Sequence, residues 1–207
     1  MKKFFSIIPL QVPGRLDQYQ YQAVGNQKLQ MDHETSFPIL TAVHGYVNPG
    51  ETIEMVTLVA DNENGRHNLG IFKQQLKEVC DEIGCKVQVK QISVPEDEAV
   101  ATHVGTFQNL IDAVEDDDEL FACITFGTKP QSTALQMALQ YGYRIKENVS
   151  VSCVVYGNIQ RPTAQKETWK AYVYDETALI QLDEIVRVLA DRRVSRPREI
   201  LDRILSL

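Results

Sequence analysis

The stretch Leu120 to Ile145, LFACITFGTKPQSTALQMALQYGYRI, constrains this chain more than any other. It opens on an apolar, β-favouring run, Leu120 to Phe126, of strand length. The run is continuous rather than alternating, the signature of a strand covered on both faces in a parallel sheet. Gly127-Thr128-Lys129-Pro130 then breaks the pattern. Gly127 allows a tight turn and a close approach of backbone to a ligand. Pro130 suits the first turn of a helix, where a missing N–H costs nothing. The residue before a proline is driven out of helical backbone, which predicts Lys129 at the helix mouth, just outside it. Ala134, Met137, Ala138, Tyr141 and Ile145 follow at helical spacing, and Asn148 to Tyr156 (NVSVSCVVY) is a second buried strand. The unit is a strand–helix–strand crossover, right-handed almost without exception.

The turn is where chemistry belongs. Open α/β sheets bind ligands beyond the carboxyl ends of their strands, and a helix N-terminus there offers N–H groups and partial positive charge to an anion. Thr125, Thr128 and Ser132 add hydroxyls, and Lys129 adds a full charge. Two readings stand: a site for a phosphate-bearing ligand, or a well-made turn with a solvated lysine.

The rest of the chain repeats the alternation of strands and helices. Lys3 to Leu10 is a first strand ended by Pro9. Gln11 to Thr35 is long, Gln-rich and irregular; it either covers a ligand held at the Gly127 turn or lies as a surface loop. Its Tyr19 and Tyr21 suit stacking on bases or pinning the loop. Ser36 is placed to cap a helix from Phe37 to Tyr46, with Pro38 in its first turn. Thr52 to Ala60 is a second strand, followed by a polar loop, Asp61 to Gly65, on the same edge as the Gly127 turn; Asp61 and Asn62 are candidates for ligand contact. A helix over Asn68 to Ile83 ends at Gly84, and Lys86 to Ile92 alternates as a half-exposed third strand. A helix from about Glu98 to Val114 and the acidic loop Glu115 to Glu119 lead to the central strand. Lys170 to Tyr174 is a sixth strand, expected at the sheet edge; Thr177 to Asp191 and a segment opened by Ser195-Arg196-Pro197 are terminal helices. The fold class is α/β: a Rossmann-like, mostly parallel six-stranded sheet flanked by helices, with a C-terminal helical appendage. The expected organisation is a ligand-binding domain over 1–175 and helices over 176–207, serving dimerisation or connection to an effector.

Composition narrows the function. A chain of 207 residues suffices for one full α/β core. The net charge of −7 argues against a partner that is a long nucleic acid, and no stretch approaches membrane-spanning length. The N-terminal MKKFFSIIPLQ is too briefly apolar for a signal peptide and reads as strand. Cys80, Cys85, Cys123 and Cys153 form no C-x-x-C pair; reduced thiols and a cytoplasmic location fit. His33, His44, His67 and His103 lie scattered, none with a partner at metal-ligand spacing, so no metal site is expected. There is no G-x-G-x-x-G after the first strand, no Walker loop and no G-x-S-x-G elbow.

The run ACITFGTKPQSTALQMALQYGY, then NVSVSCVVYGNI, then YDETALIQLDEIVRVLA, resembles the CARF family, the CRISPR-associated Rossmann-fold ligand sensors of type III CRISPR systems. In that family a strand ending in a Thr-x-Gly-Thr-Lys-like turn opens a helix and binds ligand; here those positions are Thr125, Gly127, Thr128 and Lys129, with Phe126, Pro130 and Ser132 among them. A second ligand motif follows strand one, which here is Leu10, Gln11 and the start of the long loop. Cys123 stands where the family carries an aspartate, and the Arg…His ribonuclease pair of many nucleotide-activated effectors is missing. The resemblance implies a homodimer, defence against viruses in the cytoplasm, no cofactor, and a cyclic tetra- or hexa-adenylate lying across the two-fold axis. It leaves two functions: a sensor relaying to an attached or partner effector, or a metal-independent ring nuclease with Lys129 as the catalytic charge. A third, unrelated expectation is an α/β enzyme of small-molecule metabolism.

Overall fold

The apolar runs become the middle of a single sheet in the computed structural model, which describes residues 1–206. Its strands are β1 (Lys2–Ile7), β2 (Tyr21–Val24), β3 (Thr52–Ala60), β4 (Lys86–Val94), β5 (Glu119–Cys123), β6 (Ser150–Gln160) and β7 (Lys170–Asp175). The helices are α1 (Ile39–Tyr46), α2 (Glu63–Ile83), α3 (Val100–Ile111), α4 (Lys129–Ile145), α5 (Thr177–Asp191) and α6 (Pro197–Leu205). The sheet order is β2-β7-β6-β5-β1-β3-β4. β4, β3, β1, β5 and β6 are mutually parallel, β7 is antiparallel to β6, and β2 is parallel to β7.

Successive residues of a strand face opposite sides, so adjacent phenylalanines in β1 build two different cores. Phe4 joins Met55, Phe72 and Phe121 under α1 and α2. Phe5 joins Val56, Leu110, Leu120 and Leu135 under α3 and α4. The chain moves outward from β1 to β3 and β4 along one face, then crosses back to β5 and β6 along the other. The topological switch therefore lies between β1 and β5, where the carboxyl-end loops part and leave a crevice.

A charge pair, Lys3 and Asp118, is folded into this frame. Lys3, 2% exposed, reaches Asp118 at 2.9 Å, Glu115 at 2.9 Å and Glu54 at 3.3 Å, and donates to the Ala113 carbonyl at 2.9 Å. Burial alone would lower its pKa; hydrogen bonds to Glu115 and Asp118 outweigh this and raise it.

Several elements differ from expectation. The sheet has seven strands, not six, because β2 arises inside the Gln-rich stretch. β2 covers the outer side of β7, so the sixth expected strand is not at the edge. The Gln11 to Thr35 stretch also holds a 3₁₀ turn, Gln27–Leu29, and a bridge between Tyr19 and Thr35. Tyr21 is buried in the core beneath α1, which rules out stacking on a base and raises its phenol pKa. Ser36 caps nothing: α1 begins at Ile39 with Pro38 in the capping position, and the Ser36 N–H donates to Gln75 Oε1 at 3.0 Å. α2 begins at Glu63, five residues before the expected Asn68, because Asn62 caps it. Lys129 is the first residue of α4 rather than outside it, with Thr128 as the cap. β5 stops at Cys123, and Ile124 to Phe126 already belong to the turn.

α5 lies along β6 with Ile180 in the core, its Thr177 hydroxyl accepting from the Val154 N–H at 2.8 Å. Arg144 of α4 binds Glu184 of α5 at 3.0 Å and also Asp183. All four cysteines are free thiols, and burial pushes Cys80 and Cys153 up to about 12. Among the described residues no helix is long and apolar enough to cross a membrane.

Candidate functional site

Three loops meet at the carboxyl edge because β5, β1 and β3 are neighbours in the sheet. The loop after β1 carries Leu10 and Gln11, both exposed. Asn68 of α2, fully buried, fixes that loop from below: its Nδ2 donates to the carbonyls of Pro9 at 2.8 Å and Gln11 at 2.9 Å. Sequence reading passed over Asn68, since a polar residue in a helix carries no sign of which loop it binds.

The loop after β5 holds the predicted turn. Gly127 has φ 93, a conformation that disfavours any residue with a side chain. A Cβ there would stand 2.8 Å from two carbons of Ile7 and 2.9 Å from Gln131 Oε1. The close approach that requires glycine is thus to the end of β1, and it locks the β5 turn onto its neighbour across the switch point. Thr128 and Gln131 form a capping box: Gln131 Oε1 accepts from the Thr128 N–H at 3.0 Å, and the Thr128 hydroxyl accepts from the Gln131 N–H at 3.5 Å.

The predicted residues therefore separate by where their polar atoms point. Thr125 looks inward, its hydroxyl accepting from the Gly157 N–H at 2.7 Å and from the Cys123 thiol at 3.2 Å. Phe126 packs against both cores. Ser132 donates to the Phe126 carbonyl at 3.5 Å. Asn62 accepts from the Gly65 N–H at 2.7 Å and donates to Glu96, while Asp61 pairs with Arg66 at 2.9 Å. Leu10, Gln11, Gly127, Lys129 and Pro130 remain open to solvent. Among the described residues Lys129 makes neither an ion pair nor a side-chain hydrogen bond. Its ammonium thus stands free at the positive end of α4.

Lys129 and Pro130 also border a cavity of about 410 Å³ between α3 and α4, with Val100, Val104, Phe107 and Met137. Val100 is 77% exposed and Met137 51%, so an apolar face adjoins the free lysine. His103 lines the same cavity; its Nε2 lies 3.4 Å from Glu98 and its Nδ1 is buried without a partner. The long separation of His103 from Lys129 in sequence hid their sharing of this cavity.

A larger cavity of about 650 Å³ lies where the Gln11 to Thr35 stretch meets the start of β7, lined by Asp17, Tyr19, Lys166 and Trp169 among others. Lys166 binds Asp17 at 2.8 Å, and Arg161 stacks on Trp169 at 4.8 Å. The long connection is therefore tied down on the β6–β7 side of the carboxyl edge.

The histidines are not all scattered. His33, His44 and Glu82 converge at the opposite, amino edge, with one ligand atom from each within 4.8 Å of the others.

Fold and edge loops together define a Rossmann-like α/β protein whose switch point carries the Gly127 turn and the exposed Lys129. No protein-family model matches the chain, and no curated protein matches it.

Proposed function

We propose that this protein is a cyclic oligoadenylate-binding sensor of type III CRISPR antiviral defence, acting in the cytoplasm. In this reading it is a homodimer, binds a cyclic tetra- or hexa-adenylate across its two-fold axis, and relays to an attached or partner effector. One observation carries the reading: the free Lys129 at the start of α4, held at the β1–β5 switch point by the Gly127 turn against Ile7. A cyclic polyphosphate needs a cation and open backbone at such a point, twice over in a symmetric pair. The exposed apolar strip Val100, Val104 and Met137 beside Lys129 suits a second copy, whose docking brings two such lysines together.

His103 gives a specific reason to keep the second reading, a metal-independent ring nuclease. In this reading the His103 imidazole, which lines the same cavity as Lys129, turns its Nε2 from Glu98 to take the proton of a ribose 2′-OH; that oxygen attacks the adjacent phosphate, the 5′-oxygen leaves, and the Lys129 ammonium steadies the charge that develops.

The test is incubation of the purified chain with each ring, without metal, binding followed by calorimetry and the ring by chromatography. Lys129→Ala is expected to weaken binding by at least about tenfold, the scale of one charge-assisted hydrogen bond. An intact ring identifies a sensor. Conversion to linear products, lost in His103→Ala or Lys129→Ala, identifies the nuclease. No saturable binding of either ring overturns both readings.

A further inference from the structure

We propose that His33, His44 and Glu82 form a binding site for a zinc-class divalent cation. The three come from separate segments: the connection between β2 and α1, α1 itself, and the last turn of α2. His33 Nε2 lies 2.7 Å from Glu82 Oε2, and His44 Nε2 lies 3.8 Å from Glu82 Oε1. The two rings stand edge to face, with centroids 6.0 Å apart. Both imidazoles present the same nitrogen to the two oxygens of one carboxylate, a donor set that imidazole-binding metals such as zinc favour.

The spacing fits with modest closure. Ligands bound tetrahedrally at about 2.0–2.1 Å from zinc are about 3.3 Å from one another. The cluster's 4.8 Å spread must contract a little, and side chains 31–49% exposed have room to rotate. The backbone is already in place. Thr35, two residues after His33, donates from its hydroxyl to Gln75 Oε1 of α2 at 2.8 Å, and the Ser36 N–H joins it at 3.0 Å. This anchor holds the His33 segment against the helix that carries Glu82.

The surroundings favour a cation. A cavity of about 230 Å³ beside the cluster is lined by Glu34 and Glu78 as well as His33 and Glu82. A lone hydrogen bond accounts for His33 on Glu82; it does not account for a second imidazole with its Nε2 3.8 Å from the other oxygen. Bound metal clips the connection after β2 to both α1 and α2. The site lies at the amino edge, away from Lys129, and is independent of the function proposed above.

The test uses the untagged full chain, stripped with a chelator and titrated with zinc chloride by calorimetry, then with cobalt chloride for its visible spectrum. One zinc per chain is expected, with cobalt bands of a four-coordinate site. Zinc at a hundredfold excess over its Kd raises the melting temperature by about 5–10 °C. His33→Ala and His44→Ala each weaken binding at least tenfold, whereas Cys85→Ser leaves it intact. Circular dichroism confirms that these exposed-site variants fold. Absence of saturable binding overturns the site, and so does binding that survives the double His33→Ala/His44→Ala change or is lost in Cys85→Ser.

Discussion

Gly127→Ala tests whether the β5 turn is locked onto β1 as described. Two costs arise together. A side chain at φ 93 occupies backbone that L-residues avoid, worth about 1–2 kcal/mol. The new methyl also meets Ile7 carbons at 2.8 Å and the capping Gln131 at 2.9 Å, overpacking worth about 1–3 kcal/mol. The sum is about 2–5 kcal/mol, or a fall in melting temperature of about 4–20 °C for a chain of this size. Urea unfolding followed by circular dichroism reads it as a lower midpoint at unchanged slope. Ile7→Ala removes both clashing carbons, so the double variant recovers at least about 1 kcal/mol relative to additivity. A Gly127→Ala cost under about 1 kcal/mol, or strict additivity with Ile7→Ala, refutes the close packing at the switch point.

Two further outcomes follow from charges. Lys3→Met leaves the buried Asp118 carboxylate with only the Met1 ammonium, at 3.2 Å, as a cationic partner, and removing one member of a buried pair costs about 3–5 kcal/mol. Because the Glu115 N–H still donates to Asp118 at 2.7 Å, the lower end is expected; a urea midpoint close to wild type contradicts the buried pairing. Glu184 has its pKa lowered to about 2, by Arg187 first and by Arg144 as well. A depressed carboxylate stabilises above its unfolded value and loses that contribution as pH falls from about 4.5 toward 2. Stability is therefore expected to fall less steeply across that window in Glu184→Gln than in wild type when melting temperature is plotted against pH, and identical slopes refute the pairing of Glu184 with Arg187 and Arg144.

What the sequence revealed and what it concealed have physical reasons. The run before Gly127 was legible because a doubly buried strand needs unbroken apolar residues, and the proline-opened helix because capping is local chemistry. The start of α2 was not, since Glu63 to His67 carry no apolar period and only Asn62 marks the cap. β2 was hidden because four residues, half of them exposed, pair at a sheet edge through backbone alone. The inward turn of Thr125 depends on Gly157, a residue of another strand, and local pattern carries no such information. His33, His44 and Glu82 were invisible for the same reason: ligands gathered from three segments have no spacing to recognise.

The pairing of β2 with β7 sets the order in which the molecule can be finished. Tyr21 meets Ala171, roughly 150 positions later, so at translation speeds of about 5–20 residues per second the early strand waits about 8–30 s for its partner to be made. During that interval β1, β3 and β4 can assemble, while the Gln-rich segment hangs unpaired beside the growing sheet. Its short length suits that wait, because a four-residue strand is a poor template for joining another unfinished chain. The last strand to be synthesised is thus the one that fastens one of the first, and the sheet closes only when β7 has left the ribosome.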